Sequence, residues 1–137
     1  MLRVVIDTNV LVSGLLGSGH SNAILDLWRN RRFVNITSTE LLNELITTLQ
    51  RPKIAKRISE KDSEALVELI EERSIFVNPK IKFEICRDHH DDKLLECAVE
   101  GKVDIIGTGD GDLLILHPFR NIDILTPADL IKRLKAA

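Results

Sequence analysis

The chain opens with Leu2-Arg3-Val4-Val5-Ile6 and then stops being apolar at once, at Asp7-Thr8-Asn9. A short β-branched run of this kind suits a strand buried on both faces, as in a parallel sheet covered by helices. In open α/β sheets ligands bind beyond the carboxyl ends of the strands, so Asp7 stands where chemistry is expected. The remainder of the chain must supply the other strands, the covering helices and the partners of that carboxylate.

Residues 10–16 continue apolar and suit a helix loosened by Gly14, Gly17 and Gly19. Ser21 or His20 precedes the next helix, whose stripe is Ile24, Leu25, Leu27 and Trp28 and whose basic end, Arg29-Asn30-Arg31-Arg32, complements the helix dipole. Residues 33–37 read as a second strand. Ser38 or Thr39 caps a helix with Leu41, Leu42, Leu45, Ile46 and Leu49 on one face, halted by Pro52. After a basic stretch, Ser59 caps a helix burying Ala65, Leu66, Leu69 and Ile70, and residues 75–77 make a third strand. Residues 80–87 read as an extended connection. Asp88-His89-His90-Asp91-Asp92 leads into a helix carrying Leu94, Leu95, Ala98 and Val99, ended by Gly101. A fourth strand, 103–107, runs into Thr108-Gly109-Asp110-Gly111-Asp112. Residues 122–125 form a fifth, and Pro127 opens a last helix. Strands alternating with 10–15-residue helices predict a parallel sheet with helices on both faces, in one domain over residues 1–137.

Composition narrows the class. With 44% hydrophobic and 29% charged residues the chain is neither disordered nor membrane-spanning, and no apolar run nears the roughly 18 residues a spanning helix needs. The opening residues lack the pattern of a secretory leader, so a cytoplasmic protein is expected. Cys86 and Cys97 have no zinc-ligand neighbours and are expected as free thiols. A net charge of −2 gives no global polyanion-binding signature, although a concentrated acidic site can mask a basic rim.

Such an acidic site is what the motifs assemble. Asp7 follows the first strand, and Asp110 and Asp112 follow the fourth, on the same sheet edge. Taking about 100° per residue, Glu44 borders its helix's apolar stripe while Glu40 faces water. In the later helix Asp92 flanks the apolar face. Asp91 would point into the core if helical and suits an N-cap better. Two carboxylates about 5 Å apart repel by about 3 kcal/mol at an effective dielectric near 20. A cluster therefore takes up protons or binds a hard divalent cation, and oxygen-only ligands favour Mg²⁺ or Mn²⁺.

Ile6-Asp7-Thr8-Asn9-Val10, Glu44 within Glu40-Leu41-Leu42-Asn43-Glu44-Leu45, Asp92 before Lys93-Leu94-Leu95, and Thr108-Gly109-Asp110-Gly111-Asp112-Leu113-Leu114, in that order, resemble the PIN-domain ribonucleases. The resemblance spans essentially the whole chain and is nearest to the single-domain prokaryotic toxin components of toxin–antitoxin systems. It implies a three-layer α/β/α fold with a mainly parallel, roughly five-stranded sheet of central order 3-2-1-4-5. It further implies an endoribonuclease dependent on Mg²⁺ or Mn²⁺. Asp7, Glu44, Asp92 and Asp110 take catalytic, metal-holding roles, with Asp112 a fifth ligand and Asp88 the alternative third. Asn9 and Thr108 are supporting hydrogen-bond residues. An RNA substrate, a cognate antitoxin and a homodimer are the partners it implies, and an acidic cleft without a clear basic channel suits single-stranded or looped RNA better than duplex.

Plainer roles stand beside these. Asp7 is also a natural helix cap, Asp110 and Asp112 a natural turn, and Asp92 a dipole-stabilising first-turn acid. His89 and His90 read as solvated, as do Asp26 and Glu68, Glu71 and Glu72, while Trp28 reads as packing. Arg29, Arg31, Arg32, Arg51, Lys53, Lys56 and Arg57 are candidates for a phosphate-binding rim. The competing functions are phosphoryl transfer through an aspartate, as in receiver-like domains, and a catalytically inert binding module.

Overall fold

The computed structural model describes all 137 residues. Five parallel strands form one sheet in the order β3-β2-β1-β4-β5. They are β1 (Arg3–Ile6), β2 (Val34–Thr37), β3 (Ser74–Phe76), β4 (Ile105–Gly107) and β5 (Asp123–Leu125). The chain reverses direction along the sheet between β3 and β4, which places β1 at the centre and the switch point beside it. All five carboxyl ends share one edge.

The helices are α1 (Thr8–Leu15), α2 (Gly19–Arg29), α3 (Thr39–Leu49), α4 (Pro52–Ala55), α5 (Glu60–Arg73), α6 (His89–Glu100), α7 (Gly111–Leu114) and α8 (Pro127–Ala136). Alternation along the strands sorts them into two layers. Val4, Ile6 and Ile105 point into a core shared with Trp28, Leu66, Ile70, Leu130 and Leu134 of α2, α5 and α8. Val5, Ile36, Ile106 and Ile124 point the other way, onto Leu94, Leu95 and Ala98 of α6. Helix α3 feeds both, with Leu45 and Leu49 in the first core and Leu41 in the second. Gly107 ends β4 against this packing: a Cβ there would lie 2.8 Å from Leu130 Cδ2 and 3.3 Å from Ile6 Cδ1, so a larger residue requires those side-chain ends to move where the strand hands over to Thr108. No helix is long and apolar enough to cross a membrane.

Several helix starts differ from the sequence expectation. Helix α1 begins at Thr8, because Asp7 caps it directly. Helix α2 begins at Gly19 after Ser18, ahead of His20 and Ser21. The basic stretch after Pro52 closes into the short α4. Helix α6 is capped by Asp88, whose Oδ1 accepts the His90 backbone N–H at 2.9 Å, and Asp91 lies inside the first turn.

Residues 80–87 carry no regular structure of their own and lie antiparallel to α6, held by three carboxylates at i, i+4 and i+8. Glu100 accepts from Lys80 N at 3.1 Å, buried Glu96 from Phe83 N at 2.9 Å, and Asp92 from Ile85 N and Cys86 N at 3.0 and 2.9 Å. The strap thereby satisfies four of its backbone donors, buried Phe83 N among them, without strand pairing.

Candidate metal centre

The site is assembled on the carboxyl edge from four elements. Asp7 leaves β1 with its backbone N–H bonded to Gly107 O at 2.9 Å, tying it to β4. Its Oδ1 accepts from the Asn9 backbone N–H at 3.3 Å, capping α1, and its Oδ2 accepts from the Thr108 hydroxyl at 2.7 Å. Thr108 is fully buried, and its Oγ1 also accepts from the Asp110 backbone N–H at 3.0 Å. One hydroxyl thus fixes both strand-end aspartates. Asp110 in turn caps α7, accepting from the Asp112 N–H at 2.9 Å. The helix-cap and turn roles of these residues are therefore real, and they orient the carboxylates as well as satisfy backbone donors.

From the flanks, α3 brings Glu44, whose Oε2 lies 3.5 Å from His90 Nδ1, and α6 brings Asp91. Together Asp7, Glu44, Asp88, Asp91 and Asp110 line a cleft of about 130 Å³, with Asn9, Arg51 and His90 also on its wall. A larger groove of about 720 Å³ lies between α3, α4 and α5, lined by Ile46, Leu49, Ile58 and Val67 with glutamates along one side. Chemistry, rather than size, singles out the smaller cleft.

Helical spacing favours Asp92 over Asp91 as the ligand, but it is Asp91 that lines the cleft. The helical wheel placed Asp91 on the core-facing side correctly. At the first turn of α6, however, that direction leads to the sheet edge and its acids instead of into the apolar core. Asp91 is 7% exposed and its Oδ2 has no hydrogen-bond partner. Asp92 is equally buried, but its carboxylate is committed to the strap and is absent from the cleft wall. A flank position next to an apolar stripe signals proximity to something, and here that is residues 80–87. Asp88 stands exposed at the cleft as the α6 cap. Asp112 is half-exposed and paired with Arg87 at 2.7 Å. Asn9 supports Asp7 through its backbone. Glu40 faces outward, 3.2 Å from Lys93. His90 is exposed, as expected, and also lines the cleft.

Electrostatics follow from this crowding. Burial raises the Asp91 carboxyl to about 7, reinforced by a hydrogen-bonding contact with Asp110 and by the charges of Asp110, Asp7 and Asp88. Burial also raises Asp7, against the hydrogen bonds from Thr108 and Asn9. Glu44 is raised by burial too, with His90 pulling the other way. Asp92 behaves oppositely: burial alone would raise it, but the Cys86 and Ile85 N–H groups outweigh that and hold it below the ordinary carboxylate value. Beside it, burial and the Asp92 charge push the Cys86 thiol up to about 12, so this cysteine is a poor nucleophile.

Three ligand oxygens, one each from Asp91, Asp110 and Asp112, lie within 4.8 Å of one another. Asp91 also carries a buried oxygen, Oδ2, with no hydrogen-bond partner, and this all-oxygen donor set fits a hard divalent cation. It contains no sulfur or obligatory nitrogen donor of the kind zinc favours.

The PIN domain family model matches residues 3–112. An uncharacterized protein of Methanocaldococcus jannaschii, MJ1680, is 38% identical over 118 residues, 85% of this chain and 76% of that one. The crystal structure of PAE2754 from Pyrobaculum aerophilum superposes with a TM-score of 0.65 over 99% of this chain and 91% of that one. At 15% identity it shows a shared fold. A family match across four-fifths of the chain, on a sheet of the same order and with the acids gathered at its edge, establishes that the chain belongs to the PIN-domain family, whose members are generally metal-dependent nucleases.

Proposed function

We propose that this chain is an endoribonuclease dependent on Mg²⁺ or Mn²⁺ that hydrolyses phosphodiester bonds in single-stranded RNA. The observation that carries this reading is buried Asp91, with its unpartnered Oδ2, in a cleft shared with Asp7, Glu44 and Asp110. Asp7, Glu44, Asp91 and Asp110 would hold the cation, with Asp112 or Asp88 adding a ligand. When bound, such an ion supplies Lewis-acid polarisation of a phosphoryl oxygen and a more acidic bound water.

The chain's own contribution is placement. Thr108 keeps Asp7 and Asp110 in register through two hydrogen bonds to one oxygen. His90 Nδ1 lies 3.5 Å from Glu44 Oε2 across the two facing helices, on the same cleft wall. Without a cation, burial and the neighbouring acids favour the protonated form of Asp91, so a cation that loads the site would displace that proton. The cleft is acidic and lacks a broad basic channel, which favours a flexible single strand over a duplex.

Asp7→Asn and Asp110→Asn should each lower cleavage of a labelled single-stranded RNA at least a thousandfold while leaving the circular-dichroism spectrum intact. Undiminished cleavage by both variants would overturn the assignment. Calorimetric titration should show Mg²⁺ or Mn²⁺ binding at millimolar concentration or tighter, and an absence of binding favours an inert module.

The toxin role, a cognate antitoxin and a cytoplasmic setting extend the same reading from the family resemblance, and the two free cysteines suit a reducing compartment. We also propose a homodimer, supported by Ile75 and Phe76, which stay exposed on the edge strand β3. Light scattering should then give about twice the 15.4 kDa chain mass, and a monomer at micromolar concentration would remove this proposal.

A further inference from the structure

Arg51 follows Gln50, the C-cap of α3, and forms the N-cap position of α4. Glu44, Thr48 and Arg51 are spaced i, i+4 and i+7, and all three line the acidic cleft. Helix geometry sets them in one row, with the Arg51 backbone about 10 Å along the axis from Glu44. The Thr48 hydroxyl donates to Glu44 O at 2.9 Å, so it is spent inside the helix. Arg51 is then the free polar group at that end of the row, and it is the sole lysine or arginine on the cleft wall.

Its guanidinium is exposed and makes no ion pair or hydrogen bond, although carboxylates line the same cleft. Elsewhere in the chain arginines near acids pair with them, as Arg87 does with Asp112 at 2.7 Å and Arg29 with Asp26 at 3.1 Å. Arg51 therefore lines the cleft with its guanidinium unpaired and open to a ligand. Its place in the topology gives it a direction. Adjacent strands β2, β1 and β4 deliver Arg51 with Glu44, then Asp7, then Asp110 along the carboxyl edge. A polyanion lying along that edge finds one cationic fork of donors beside the acids, and a guanidinium fork matches a phosphate in bidentate fashion.

We propose that Arg51 binds the phosphate next to the scissile one in a single-stranded nucleic-acid substrate. This rests on the nuclease reading and adds the residue that distinguishes a polynucleotide from an isolated phosphodiester.

The test compares wild type, Arg51→Gln, Arg51→Lys and a charge control far from the cleft, Lys135→Gln, on two substrates. One is a ten-nucleotide single-stranded RNA and the other is bis(p-nitrophenyl) phosphate, which has no neighbouring phosphate. Arg51→Gln should raise KM for the RNA about tenfold with kcat changed less than threefold, and leave kcat/KM for the small diester unchanged. Arg51→Lys should recover part of the KM, and Lys135→Gln should match wild type. An unchanged KM for RNA, or equal losses on both substrates, overturns the proposal. If wild type cleaves neither substrate, the nuclease reading falls, and Arg51 is judged on RNA binding by fluorescence anisotropy with Mn²⁺ present. Arg51→Gln should then weaken binding about tenfold and reduce the salt slope of log K by about 0.7, the value for one phosphate contact on a single strand. An unaltered slope, or no RNA binding by wild type, overturns it there.

Discussion

Asp91→Asn is expected to lower RNA cleavage at least a thousandfold and to weaken Mn²⁺ binding, whereas Asp92→Asn should leave both within about threefold. A thousandfold is about 4 kcal/mol of transition-state stabilisation, in the range of losing one essential charged group in a dry site. Both carboxylates are buried and adjacent in sequence, so exposure alone does not separate them. Their partners do: Asp91 Oδ2 has none, while Asp92 Oδ1 accepts two backbone N–H groups. The stability effects should run the other way. Asp92→Ala leaves the Ile85 and Cys86 donors unpaired beneath the strap, a loss of about 2–4 kcal/mol that thermal unfolding would register as a fall of roughly 10 °C. Asp91→Asn removes a like charge from the cluster and should stabilise the metal-free protein. Loss of metal binding in folded Asp92→Asn, with Asp91→Asn unaffected, would reverse the assignment.

The same pair shows how far the sequence could be read. The two helical layers and the convergence of Asp7, Glu44 and Asp110 follow from apolar runs and helical spacing, because a parallel sheet forces strand ends onto one edge, whereas the strand order follows only from the resemblance to PIN-domain proteins. The resemblance to PIN-domain proteins was legible from four short motifs that a family match over residues 3–112 contains. Which aspartate of the acidic run enters the cleft was not. A helical wheel gives an angle, and its meaning depends on what lies in that direction. For Asp91 it is the sheet edge, and for Asp92 it is a strap with no secondary structure of its own. The one usable signal was the i, i+4, i+8 spacing of Asp92, Glu96 and Glu100, a carboxylate row on a flank that some backbone had to satisfy. His90 was hidden for a related reason. Its pairing with Glu44 joins α6 to α3, two helices whose approach depends on the packed sheet between their strands.

In the metal-free protein the acid cluster should make stability depend on pH in a direction opposite to that of ordinary paired carboxylates. Asp7, Glu44 and Asp91 all have folded-state pKa values above their ordinary ones, so the folded state binds more protons than the unfolded chain between the two values. Their contribution is fully present below the ordinary pKa and is lost as pH rises through the folded values, and for Asp91 that window runs from 3.8 to about 7. Asp92, held below its ordinary value, contributes in the opposite sense, and its stabilisation disappears only in stronger acid. Without metal, the melting temperature should therefore fall on the order of 5 °C between pH 5.5 and 8, corresponding to about 1–2 kcal/mol. Millimolar Mn²⁺ should flatten or invert that slope, because a cation binds the ionised carboxylates and its stabilisation grows as they lose protons. Asp91→Asn should flatten it without metal. Differential scanning calorimetry across that range decides the matter: a metal-free slope that persists unchanged in Asp91→Asn would mean that the cluster is not where the protons are held.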